Sequence, residues 1–226
     1  MLFPGISLSL KKGKASLILF AVIFHGHCAA DLQSDTAGVS QTAASVTTVS
    51  LGDGTFKTII DATSTSAWRY FNFEASGEAN VTDPQTNSVW DIGFQRFMIK
   101  TNAGVSGTAN AAVLPIGGSA FAGLTQSPVF TGAITDVSDP GDSNDACRPT
   151  TTGVLYAFLK STHSPNACWL YYTGAPNHQL LSRKDDVAYV VRTSTPRYYK
   201  VQVLSYYSDT GTAGVMSFRW AEVAAP

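Results

Sequence analysis

Bulky apolar side chains recur at every second position in this chain, a period that builds sheets and not helical bundles. The longest instance runs from Trp90 to Gly107. Trp90, Ile92 and Phe94 alternate with Asp91, Gly93 and Gln95, and then the phase shifts so that Phe97 and Ile99 carry the bulk. The stretch reads as one long strand with a bulge near Gln95–Arg96, or with burial on both faces, that feeds a glycine-bearing turn. Later runs repeat the period. Tyr199, Val201 and Val203 share one face with Lys200 and Gln202 on the other, and Met216, Phe218 and Trp220 share a face near the end. No convincing amphipathic helix follows the first thirty residues. The fold expected is all-β and antiparallel, a meander with long loops.

Composition agrees with that reading. Only 14% of residues are charged, 11% are aromatic and there are 19 Gly, which suits a sheet protein with many turns. Lys11, Lys12 and Lys14 precede the short apolar run from Ala15 to Phe24, with no acidic residue before Asp31. This is the pattern of a secretory signal, too short to span a bilayer. Cys28 and Ala30 are small residues placed for cleavage before Asp31, and Cys28 is alternatively a lipid-accepting cysteine. The division expected is a signal peptide over 1–30, a flexible leader over 31–50 rich in Ser, Thr and Ala, and one domain over 51–226. Without its signal lysines the chain holds 12 basic and 16 acidic residues, a formal charge of −4. No basic stripe remains, which excludes nucleic acid as a partner.

Strands are expected over Thr55–Ile60, Trp68–Phe73, Val187–Thr193, Tyr198–Tyr207 and Val215–Val223. Two aromatic runs, Val154–Leu159 and Cys168–Tyr172, flank a turn-rich segment. Asp136, Asp139, Asp142 and Asp145 read as an exposed acidic loop. They lack the spacing of a helix–loop–helix calcium site, so a solvated turn is expected. In an oxidising compartment Cys147 and Cys168 are expected to pair, closing a loop of about twenty residues and stabilising the fold by roughly 3 kcal/mol.

Catalytic signatures are missing. There is no Gly-x-Ser-x-Gly elbow, phosphate loop, dinucleotide fingerprint or His-Glu-x-x-His sequence. Two histidines remain beyond the signal, His163 and His178, in segments dense in Tyr, Trp and Phe. Each alone reads as a polar side chain turned to solvent in a turn. Together, if their loops face each other, they suit a flat apolar ligand with an iron centre.

Three blocks carry a resemblance: Trp68-x-Tyr-Phe; Trp90-Asp91-Ile-Gly-Phe94-x-Arg96-Phe, running on to Thr101-Asn102-x-Gly104-x-Ser106-Gly107; and the late block from Tyr189 to Trp220. They resemble the HmuY family of exported bacterial haem-binding proteins, over roughly Trp68 to Val223. The resemblance implies an all-β fold, secretion or outer-membrane attachment, and non-catalytic capture of haem b for iron acquisition. It implies iron ligands at His178 and His163, with Trp169, Tyr171 and Tyr172 as pocket walls. Met98 and Met216, in strands, read as core. Haem-carrying host proteins and an outer-membrane haem receptor are the implied partners. The alternative is a surface-binding or adhesion module that keeps the fold without haem.

Overall fold

Strands form where the period-two runs lie. In the computed structural model, residues 45–138, 153–159 and 168–226 are described, all within the unit Gln41–Pro226. In chain order the strands are β1 (Val46–Gly52), β2 (Thr55–Asp61), β3 (Arg69–Asn72), β4 (Gly77–Ala79), β5 (Ile92–Gln95), β6 (Met98–Thr101) and β7 (Ala112–Gly117). A single-turn helix α1 (Ala120–Gly123) separates these from β8 (Val137–Ser138), β9 (Val154–Leu155), β10 (Leu170–Tyr172), β11 (Leu180–Ser182), β12 (Val187–Arg192), β13 (Tyr198–Tyr207) and β14 (Ala213–Val223). Among the described residues no helix is long and apolar enough to cross a membrane.

Two sheets carry the architecture. The larger has the order β1-β2-β14-β13-β12-β7 and the smaller β4-β3-β5-β6, all pairs antiparallel. The C-terminal meander is therefore the centre of the large sheet, with the β1–β2 hairpin added to one side and β7 to the other. Their facing sides meet through aromatic rings. Phe94 stacks on Phe218 at 5.2 Å and Phe73 on Tyr199 at 4.7 Å, while Phe71 meets Phe218 edge-on at 5.3 Å. Such pairs add about 0.5–1.5 kcal/mol each beyond area burial. Met216, Phe218 and Trp220 are all buried in this layer, and Met98 packs against it. The far side of β13 is covered as well: Lys200 and Gln202 are buried, Lys200 Nζ reaching the Leu124 carbonyl and Gln202 Nε2 the Gly118 carbonyl.

Three expectations need correction, over residues 46–50, Trp90–Thr101 and Asp136. The ordered sheet starts at Val46, so residues 46–50 belong to β1 and not to a leader. Trp90–Thr101 is not one strand. The phase shift at Gln95–Arg96 marks a tight hairpin, with Gln95 opposite Met98 and Arg96 at φ +53 in the left-handed region. A turn and a bulge both displace the period by an odd step, so alternation alone does not separate them. Val154–Leu159 is a short strand followed by a 3-10 turn over Ala157–Leu159. Asp136 is not exposed in an acidic loop but fully buried. Cys28, Cys147, His163, Asp139, Asp142 and Asp145 lie outside the described residues.

Candidate functional site

His178 sits on the loop of the β10–β11 hairpin. Leu170 pairs with Ser182 and Tyr172 with Leu180, which leaves residues 173–179 as the loop. Its backbone is tied at three points: Thr173 N–H donates to the Gln179 carbonyl at 2.9 Å, Gln179 N–H to Thr173 Oγ1 at 2.9 Å, and His178 N–H to the Gly174 carbonyl at 2.8 Å. His178 takes φ +50, a region that His visits more readily than most residues. The hairpin base is docked on β13, where Leu180 N–H donates to Tyr207 Oη at 3.1 Å and Ser182 Oγ to the Val203 carbonyl at 2.6 Å. A rigid base thus carries an exposed tip.

At that tip the His178 ring is exposed and its Nδ1 is hydrogen-bonded to Tyr172 Oη, the ring centroids 5.8 Å apart. Tyr171 and Tyr172 are 47% and 53% exposed. The three expected wall residues therefore part company. Trp169 is buried, and its Nε1–H donates to the Phe97 carbonyl at 3.1 Å, so it belongs to the core. Cys168 beside it is buried and disulfide-bonded. Among the described residues no group of three or more His, Cys, Asp or Glu could hold a metal ion. Among the described residues Tyr172 is the side chain in contact with the imidazole, and a lone imidazole can supply one nitrogen ligand to an iron centre.

The central motif does different work: it organises the scaffold around two buried carboxylates. Asp136 Oδ2 accepts Thr101 N–H at 2.9 Å and Oδ1 accepts Ala157 N–H at 2.8 Å, joining β6 to the 3-10 turn. Its carbonyl accepts Val105 N–H, and a Cβ on Gly104, at φ +63, would stand 1.9 Å from that oxygen. Only glycine fits there. Gly107 is needed for a different reason, since a Cβ would meet Asn102 Oδ1 at 2.1 Å. The Asn102 amide donates to the Asn87 and Trp90 carbonyls, both at 2.9 Å. Ser106 is buried within the same turn. Asp91 accepts Phe73 N–H at 2.9 Å and Ser194 N–H at 3.4 Å. Arg96 Nη1 reaches the carbonyls of Thr63 and Ala213, tying the hairpin to the large sheet.

Burial dominates the electrostatics of this scaffold. Desolvation pushes the carboxyls of Asp136 and Asp91 each up to about 6, against the opposing pull of the N–H donors on their oxygens. Desolvation also lowers Lys100 to about 8. That ammonium donates to Tyr70 Oη at 3.0 Å and lies over the rings of Trp68, Tyr70 and Trp90 at 4.3, 4.8 and 5.2 Å. The buried roles of Asp136 and Lys100 escaped sequence reasoning, because neither residue type announces a partner distant in sequence. Tyr172 was visible as an aromatic, but its hydrogen bond to His178 depends on the hairpin register.

Residues 64–220 match the profile of the family described as HmuY protein, and the chain belongs to that family. Solved structures agree in fold. The apo HmuY analog of Tannerella forsythia superposes with a TM-score of 0.53 at 16% identity, covering 79% of this chain and 96% of that one. A Bacteroides vulgatus protein classed as HmuY-like and heme binding gives 0.52 at 20% identity, covering 79% and 97%. No curated protein matches the sequence significantly.

Proposed function

We propose that this chain is an exported, non-catalytic haem-binding protein that captures haem b for iron acquisition, with His178 and His163 as the residues that would hold the iron. The observation that carries the reading is the exposed His178 imidazole, held on a braced hairpin tip beside Tyr171 and Tyr172. Membership of the HmuY family supports it, as does the description of the Bacteroides vulgatus relative as heme binding. Haem supplies an iron centre that accepts imidazole nitrogen. His178 contributes the lone pair, and Tyr172 beside it holds the other ring nitrogen and adds exposed aromatic surface at the hairpin tip. Ligation needs neutral imidazole, so acid weakens binding.

The basic segment ahead of the apolar run at 15–24 supports export, with Cys28 either removed with the signal or lipidated at the outer membrane. Cys168 pairs with Cys147 in this reading. Haem-carrying host proteins are the source of haem and an outer-membrane receptor its destination. Titrating haemin into the mature protein is expected to give a sharpened, red-shifted Soret band, and an absorbance that only sums the components refutes the proposal.

A surface-binding module without haem is the second reading. It is favoured by the burial of Trp169 in the core, which removes one expected wall from any ligand site. A glycan or protein partner found by pulldown, together with a flat haemin titration, would decide for it.

A further inference from the structure

An imidazole offers two nitrogens to a metal, and the one that binds is set by the hydrogen bond the other makes. In this chain that partner is Tyr172. Its Oη is hydrogen-bonded to His178 Nδ1, and the two rings lie 5.8 Å apart with planes 31° from each other. Tyr172 ends β10 and stands opposite Leu180 at the start of β11, so the hairpin register itself brings the phenol within reach of residue 178. The loop bonds from Thr173 and Gly174 fix the backbone of His178 but leave its side-chain torsions open. Among the described residues the phenol is the side-chain contact that restrains the ring.

We propose that Tyr172 is a positioning residue for His178: it engages Nδ1, holds the plane of the ring and leaves Nε2 as the nitrogen presented to a haem iron. This rests on the haem reading above. In the loaded protein Nδ1–H donates to the phenol oxygen, and the Nε2 lone pair faces the metal. The phenol keeps its own O–H for water, because Tyr172 is half exposed. Such outer partners fix the ring's orientation and raise the basicity of the ligating nitrogen. Their loss typically lowers metal affinity by about 10–100-fold.

The test uses the full mature chain with Tyr172→Phe, which keeps the ring and removes only the oxygen. Ring nitrogen-15 shifts of His178 are recorded in the free protein, and haemin is then titrated into the same two samples. The expected result is a displaced Nδ1 resonance in the variant, with haemin affinity reduced by about 10–100-fold and thermal stability retained. Wild-type haemin affinity in the variant, or an unchanged Nδ1 resonance, overturns the assignment. A flat haemin titration of the wild-type protein refutes the haem reading instead. With the Nδ1 response intact, it reduces the pair to a structural contact.

Discussion

Replacing Asp136 by Asn separates the two consequences of burying a carboxylate. Its oxygens accept N–H groups from Thr101 and Ala157 at 2.9 and 2.8 Å, and burial lifts its pKa from 3.8 to about 6. The folded protein therefore binds this proton more tightly than the unfolded chain. The stability gained by protonation is complete below the unfolded value of 3.8 and is lost as pH rises through 6. A displacement of that size corresponds to about 3 kcal/mol. Asn has no proton to exchange and lacks this dependence. It also offers one carbonyl oxygen to two N–H donors, and the unmade bond costs about 1–3 kcal/mol. At neutral pH the relieved charge and the lost bond nearly cancel, so absolute stability is a poor readout. The pH slope is the discriminating quantity. Urea unfolding followed by tryptophan fluorescence, from about pH 4 to 7.5, should show wild type losing about 2.5 kcal/mol relative to Asp136→Asn as pH rises. Parallel curves for the two proteins would refute the reasoning.

Gly104→Ala forces a side chain to φ +63 with its Cβ 1.9 Å from the Asp136 carbonyl. Left-handed strain and overpacking together should cost about 2–5 kcal/mol, read as a lowered thermal midpoint. Trp169→Ala removes a buried core ring, and a loss of about 3–5 kcal/mol is expected in chemical unfolding. Tyr171→Ala, on the exposed hairpin, should stay within about 0.5 kcal/mol of wild type in the same assay. Cys168→Ala opens the cystine and should lower stability by about 3 kcal/mol, compared with wild type under non-reducing conditions.

Strand β13 was legible because its two faces differ in chemistry: Tyr199, Val201 and Val203 enter the apolar core, while Lys200 and Gln202 on the other face are buried against backbone carbonyls. Tyr198–Tyr207 matches β13 residue for residue for that reason. The hairpin inside Trp90–Thr101 was not legible, since Arg96-Phe97 carries neither Gly nor Asn to mark a left-handed turn. β1 was missed because its residues are largely exposed, and Ser, Thr and Val read as leader composition. Asp136 looked like one of four loop aspartates. Its burial depends on backbone donors 35 and 21 residues away, which no local pattern reveals. At the candidate site the sequence pointed to His178 and the aromatics around it. It could not separate the core ring Trp169 from the exposed rings of Tyr171 and Tyr172, because Trp169 and Tyr171 share a parity and burial here falls off along the hairpin from its docked base to its tip.

The most direct test of the haem reading compares the visible spectra of haemin complexes of wild type and His178→Ala at equal protein concentration. Ligation by His178 predicts a low-spin spectrum for wild type that is lost in the variant. An identical low-spin spectrum in both proteins would contradict the account.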